Sequence, residues 1–171
     1  PFLRVIPHRS ILSLFYQGEI ELLFGFKDDI PEKDGILYRE LIQITLCCVL
    51  PAEHPYAFRD QIHEDELLSE NIIVCSSYSV PSKAVEVQNR ISQHIPPESA
   101  YICENLQVLL TLVRAGYGCS VLPQMRFINS DIVCVPLKNS AHLSYGIFYK
   151  SGSCNPLLKS LIAIIKNIEL S

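Results

Sequence analysis

Hydrophobic and polar positions change their spacing several times along the chain, and each change predicts an element. "FLRVI" at 2–6 reads as a strand. In the following "PHRSILSLFYQG", Ile11, Leu12, Phe15 and Tyr16 recur at helical spacing, and Gly18 stands at the C-terminal stop. Near-continuous apolar runs in "EIELLFGF", "LIQITLCCVLP" and "NIIVCSS" predict strands, the first typical of a strand covered on both faces. "HEDELLSE" predicts a short acidic helix. In "VPSKAVEVQNRISQHI", Ala84, Val87 and Ile91 align opposite Lys83, Glu86 and Arg90, as in an amphipathic helix that Pro96-Pro97 then breaks. "AYIC" predicts a strand, and "ENLQVLLTLVRAG" carries the strongest helical pattern. Its Leu106, Leu109, Leu110 and Val113 share a face, and burial of each contributes roughly 1.5–3 kcal/mol. "CSVLP", "IVCVPL" and "LSYGIFYK" predict further strands, and "NPLLKSLIAIIKNIEL" a closing amphipathic helix with Pro156 near its first turn. This alternation predicts an α/β protein with a largely parallel sheet. Junctions between lobes are expected at Leu50-Pro51 and in "PLKNSAHL" at 136–143.

One corner is sharply marked, "LTLVRAGYGCSVLP" from Leu110 to Pro123. Gly116 is expected to take the left-handed conformation that caps the helix, where a side chain would cost energy. Gly118 is expected to let the chain turn into the next strand, also at positive φ. Tyr117 between them is either packing, surface or the wall of a pocket.

Composition narrows the function. The 171 residues suffice for one domain or two small lobes, and 49% hydrophobic with 19% charged residues describes a globular chain. The net charge is −4, and no basic stripe of the kind that grips a phosphate backbone is present, which argues against nucleic acid binding by this surface. Seven cysteines, an odd number without C-x-x-C spacing, sit mostly inside apolar runs such as "TLCCVL". That is the pattern of reduced core thiols and leads to an expected cytoplasmic location. No apolar stretch reaches bilayer-spanning length and no signal peptide is visible, so no membrane association is expected. The chain starts at "PFLRV" without Met and is expected to be a fragment of something longer. No H-E-x-x-H, G-x-S-x-G or P-loop pattern occurs, the histidines at 8, 54, 63, 94 and 142 are scattered, and no Cys has a recognisable base at a known spacing. No catalytic residue, metal ligand or cofactor is therefore expected. His54, within "EHP", is expected to be a turn element.

The corner at 110–123 resembles the pattern LV-x-x-G-x-G-x-x-x-L-P of the effector-binding domain of LysR-type transcriptional regulators. "FYQGEIELLFGF" resembles that family's L-x-x-G-x-L-D-L-A-I, with Glu21 in place of the usual aspartate. "LCCVLPAEHPYA" resembles L-V-L-V-x-P-x-x-H-P-L-A, "IVCVPL" matches the strand after the corner, and "FYKSGSCNPLLKSLIAII" resembles the terminal strand, proline and helix. The resemblance implies a type 2 periplasmic-binding-protein-like fold, with two Rossmann-like α/β lobes joined by two crossing strands. Lobe I would be 1–50 plus 143–171 and lobe II 51–142, with the family's first strand and helix and its winged helix-turn-helix missing from the chain. The implied function is effector sensing and dimerisation. A small, anionic metabolite would bind in the interlobe cleft, the assembly would be a homodimer or tetramer, and DNA would be contacted only through the absent N-terminal domain. Side-by-side pairing would set "RSILSLFYQ" against the long-helix surface of the partner's other lobe, where Leu14 and Tyr16 are either interface or core.

In open α/β sheets, ligands meet strand carboxyl ends and the amino ends of the following helices, where N–H groups favour anions such as carboxylates. Three corners qualify. After the first strand come His8, Arg9 and Ser10, where His8 or Ser10 either touches effector or caps the helix, and Arg9 either pairs with an anion or is solvated. After "NIIVC" come Ser76 and Ser77, adjacent hydroxyls that bind a carboxylate or serve the turn. Before the long helix come Glu104 and Asn105, the latter a good N-cap. Phe26 adds either an apolar wall or core. Two rivals of other classes stand beside this reading: a solute-binding protein of a transport system, and an enzyme on a related bilobal fold.

Overall fold

The computed structural model describes residues 8–75, 80–125, 131–152 and 155–166. The elements are α1 (His8–Gln17), β1 (Leu22–Phe26), β2 (Ile36–Pro51), β3 (Ile72–Cys75), α2 (Ser82–Ser92), β4 (Ala100–Cys103), α3 (Leu106–Arg114), β5 (Ser120–Pro123), β6 (Ile132–Pro136), β7 (His142–Lys150) and α4 (Pro156–Lys166). The expected strand at 2–6 lies outside the described residues. Contacts divide the chain into two compact units, one ending at Gln43 and resuming at Ser144, the other Ile44–Leu143. The chain thus passes from one to the other twice, within β2 and within β7.

In the first unit β1 runs antiparallel to β7, with Leu22 opposite Tyr149 and Phe26 opposite Tyr145. The helical face expected on α1 delivers Phe15 to a core shared with Ile30 and Phe148, and Leu12 and Tyr16 pack on it. Tyr16 is therefore core-facing, and its hydroxyl donates to Pro31 O at 3.4 Å. The Tyr38 and Phe148 rings lie 4.6 Å apart in the same core.

In the second unit, β2 is flanked by β5, with Cys48 opposite Val121, and by β6, with Val49 opposite Cys134. β3 and β4 pair in parallel, Ile72 opposite Ala100 through Cys75 opposite Cys103. The stripe expected on α2, Ala84, Val87 and Ile91, is buried, and of the α3 stripe Leu109 and Val113 are buried while Leu106 and Leu110 are half-buried. Burial follows from spacing alone here, because residues three or four apart share a helix face. Opposite the α2 stripe, Arg90 binds both carboxylate oxygens of Glu64 at 2.5 and 2.8 Å, and Lys83 pairs with Glu86 at 3.5 Å. His54 is a turn element, as expected: its Nδ1 accepts from Tyr56 N at 3.2 Å while Nε2 lies 3.4 Å from Glu70.

Three expectations need correction. Among the described residues the ladder β3–β4 is parallel, supplemented by parallel bridges Ile72–Cys119 and Ile62–Leu137, whereas β1 pairs antiparallel with β7, and β5 and β6 pair antiparallel with β2. An apolar run announces burial but not the direction of the neighbouring strand. β1 is not covered on both faces, since Phe24 is 48% exposed. Gly118 is not at positive φ. Gly116 is, at 75°, whereas Gly118 is required by close approach: a Cβ there would lie 2.4 Å from Asn71 O.

Candidate functional site

In the second unit, β3 and β4 end side by side, because Cys75 pairs with Cys103 in a parallel register. The two sequence-predicted corners of this unit, Ser76–Ser77 and Glu104–Asn105, therefore follow directly from the same end of one ladder. Ser76 and Ser77 themselves lie outside the described residues. Glu104 and Asn105 are exposed, and Asn105 caps α3: its Oδ1 accepts from Val108 N at 2.9 Å. The cap consumes one orphan donor of the helix and leaves the Asn105 amide nitrogen as a donor toward solvent.

The end of β3 is held by a residue that sequence reasoning missed. Gln88 is fully buried on α2; its Oε1 accepts from Cys75 N at 2.9 Å and its Nε2 donates to Val121 O at 2.7 Å. One side chain thus ties together the last residue of β3, the helix after it, and β5. Ser120, also buried, donates to Ile73 O at 2.6 Å from the neighbouring strand. Such buried polar groups are stabilising only when paired, and the Gln88 amide oxygen and nitrogen and the Ser120 hydroxyl each have a partner. The only signal available was a glutamine directly beside the apolar stripe of α2.

In the first unit, α1 is described from His8 onward, and the residues that precede it lie outside the described part. The side chains of His8 and Arg9 lie outside the described part, and Ser10 is exposed. Phe26 closes β1 half-buried, with its ring 5.0 Å from that of Tyr145 in an edge-on arrangement. A second missed constellation lies on β2 and β7. The Tyr38 and Ser144 hydroxyls are 2.7 Å apart, and Ser144 also donates to the Glu40 carboxylate. Burial raises the Tyr38 pKa, while the Ser144 bond holds the Glu40 carboxyl below the usual range. The chain Tyr38–Ser144–Glu40 is a proton-donor series ending on a fixed carboxylate. It could not be read from sequence, since 106 positions separate Tyr38 from Ser144.

Several concavities lie within single units, and two of them carry facing charges. One, of about 530 Å³, is floored by Ile30, Ile36, Tyr38 and Phe148 with Lys27 and Lys33 at its rim. The other, of about 220 Å³, sets Lys83, Arg90 and Lys138 against Glu64 and Glu86, beside Asn139 at φ 59°. Neither is lined by a sequence-predicted site residue. No group of three or more His, Cys, Asp or Glu able to hold a metal occurs among the described residues. No helix among them is long and apolar enough to cross a membrane.

Comparison with known proteins places these features. The family profile described as LysR substrate binding domain matches residues 3–168. The Hca operon transcriptional activator HcaR of Escherichia coli (strain K12) is 28% identical over 140 residues, covering 80% of this chain and 46% of that protein. The chain spans less than half the length of the curated relatives it matches. Those relatives are transcriptional regulators rather than enzymes. Among solved structures, the CcmR regulatory domain of Synechocystis PCC6803 in complex with 2-PG superposes with a TM-score of 0.73 at 17% identity, covering 99% of this chain and 83% of that one. The BenM effector binding domain with its effector benzoate gives 0.70 at 22%, covering 94% and 74%. At these identities the likeness shows the fold, that of effector-binding domains of the type 2 periplasmic-binding-protein-like class.

Proposed function

The chain belongs to the LysR substrate-binding-domain family, and from that premise we propose that it senses a small anionic effector for a bacterial transcriptional regulator. The observation that supports a ligand site in this chain is the parallel pair β3–β4, whose ends at Cys75 and Cys103 lead into two adjacent hydroxyls and into the N-cap of α3. Backbone N–H groups at a helix start, with Ser76, Ser77 and Asn105 as short donors, suit a carboxylate. Ser10 at the start of α1, with His8 and Arg9 beside it, supplies the same chemistry from the first unit, and Phe26 an apolar edge. Glu104 would disfavour a second negative charge near Asn105 and so favour a mono-anion. The regulatory lobes are taken as 1–50 plus 143–171 and 51–142, close to the contact-based division at Gln43 and Leu143.

The mechanism is a population shift: the effector binds one conformation of the domain better than another, and only that difference does regulatory work. The bias would reach DNA through the winged helix-turn-helix of the whole protein, in a cytoplasmic homodimer or tetramer. Ile102, 82% exposed on β4, and Val108 and Tyr117, 43% and 51% exposed on and just after α3, support such self-association. The domain itself performs no catalysis. The alternatives, a transport binding protein or an enzyme, are not favoured, because the relatives are regulators.

A thermal-shift screen of small carboxylic acids tests the reading. A ligand at a hundred times its dissociation constant stabilises by about 2.7 kcal/mol, which for a domain this size is a rise of about 5–11 °C. The double variant Ser76→Ala, Ser77→Ala should lose that rise while its unliganded melting temperature stays unchanged. A collapse of stability in the variant would mean that the hydroxyls serve the turn, and turnover of any bound acid would return the enzyme reading.

A further inference from the structure

Thiols are distributed about β2 in a particular way. Cys47 and Cys48 are consecutive, so their side chains leave opposite faces of the strand. On the β6 side, Val49 pairs with Cys134 and Cys47 with Pro136, which puts Cys47 and Cys134 on one face as diagonal neighbours. On the β5 side, Val49 pairs with Ser120, so Cys119 falls diagonal to Cys48 on the other face. Within each pair one thiol perturbs the ionisation of the other, Cys47 with Cys134 and Cys48 with Cys119.

The two pairs differ in access and in charge. Cys48 and Cys119 are both buried, and the Cys48 thiol is pushed up by its bond to Cys119 and by burial. Cys134 is half-buried, the most accessible of the six described thiols. Its sulfur accepts from the Cys47 S–H and from the Met125 N–H, and these donors lower its pKa to about 7 against the opposing effect of burial. Cys47, which supplies the proton, is correspondingly raised. A partly exposed sulfur stabilised as thiolate, with a second thiol in contact, is the arrangement that makes a cysteine oxidisable.

We propose that Cys134 is a peroxide-reactive modification site and that Cys47 is its resolving partner. The Cys134 thiolate attacks one oxygen of hydrogen peroxide; the S–O bond forms, the O–O bond breaks, and the departing hydroxide takes a proton and leaves as water. The Cys47 thiol then gives up its proton and attacks the Cys134 sulfur; the S–S bond forms, the S–O bond breaks, and a second water leaves. The two sulfurs lose two electrons and the peroxide gains them. Diagonal partners stand roughly 7–8 Å apart at Cα, whereas a disulfide needs roughly 4.4–6.8 Å, so closure must draw the strands together. β6 can follow, because β2 is its sole ladder partner among the described residues. β2 is also one of the two strands through which the chain passes between its units. The proposal is independent of the effector reading.

The test exposes the protein to stoichiometric hydrogen peroxide at neutral pH, blocks remaining thiols with iodoacetamide and maps the non-reduced peptides. A Cys47–Cys134 link is expected. In Cys47→Ser, Cys134 should stop at the sulfenic acid and be trapped by dimedone; in Cys134→Ser, Cys48 and Cys119 should stay reduced. Labelling of the untreated wild-type protein tests the same point without any variant. At pH 7 the thiolate gain of roughly fiftyfold, offset roughly tenfold by lower intrinsic nucleophilicity, leaves Cys134 about fivefold faster than an ordinary thiol, with Cys119 slower still. Equal labelling of Cys134 and Cys119, a link between other cysteines, or no dimedone adduct in Cys47→Ser would overturn the proposal.

Discussion

Gly116 and Gly118 stand two residues apart in one corner and exclude side chains for different reasons, so their substitution separates two mechanisms. At Gly118 an added Cβ would sit 2.4 Å from Asn71 O and 2.8 Å from its carbonyl carbon. A relaxed C···O contact is about 3.3 Å, so the backbone there must retreat by about 0.9 Å. That carbonyl already accepts from Cys119 N at 2.8 Å, and Ile73 N donates to Cys119 O at 2.8 Å. A retreat of that size stretches both beyond a hydrogen bond and strains the buried Ser120 contact with Ile73. Overpacking costs about 1–3 kcal/mol, and each bond lost costs about 0.5–1.5 kcal/mol more. Gly118→Ala should therefore lose about 3 kcal/mol or more, lowering the melting temperature by about 6–12 °C. Gly116 has open space around it but φ of 75°, so Gly116→Ala should lose only the left-handed penalty of about 1–2 kcal/mol. Asparagine distinguishes the two, because it tolerates positive φ but not a collision. Gly116→Asn should recover part of the loss; Gly118→Asn should be no better than Gly118→Ala. Urea denaturation followed by circular dichroism measures all four. The account fails if Gly118→Ala stays within about 0.5 kcal/mol of wild type, the usual range of an innocuous substitution. It fails equally if Asn is better tolerated than Ala at position 118.

Further outcomes follow from the same contacts. Asn105→Ala should destabilise by about 1 kcal/mol through loss of the α3 cap, whereas Asn105→Asp should keep the cap and lose affinity for an anionic effector; equal binding by the Asp variant, measured by calorimetry, would remove Asn105 from the site. Gln88→Leu should cost about 2–4 kcal/mol in denaturation experiments, because it orphans the Cys75 N–H and the Val121 carbonyl, and a neutral result would contradict the buried-network account. The Cys134 thiol, held at about 7 rather than 9.0, is ionised in the folded protein while still protonated in the unfolded chain, so its stabilising contribution grows from pH 7 to pH 9 and is lost as pH falls through 7. Cys47, raised, acts oppositely above pH 9, where only the unfolded thiol ionises. The stability difference between wild type and Cys134→Ser should therefore rise between pH 7 and 9, and a flat difference would show that the thiolate is not stabilised.

How much of this was legible from residues alone depends on how far apart the partners stand. Helix faces were legible because their signal is local: Val87 and Ile91 are one turn apart, and spacing alone commits them to the same side. The Asn105 cap was legible for the same reason, its partner being Val108. The family's motif order carried the fold, but pairing direction escaped, because "LLFGF" in β1 has the same apolar density whether its neighbour runs parallel or antiparallel. Gln88 escaped because its two partners, Cys75 and Val121, lie on strands 13 and 33 positions away. Nothing within α2 distinguishes it from the exposed Gln93 just beyond the helix. Gly118 was the instructive error. Its need for a glycine is readable in the sequence, but the reason is the Asn71 carbonyl 47 positions upstream, the same separation as the Ser120–Ile73 bond, and not its own φ. A glycine next to a strand pairing records a neighbour's backbone as readily as its own torsion, and the two causes predict opposite responses to asparagine.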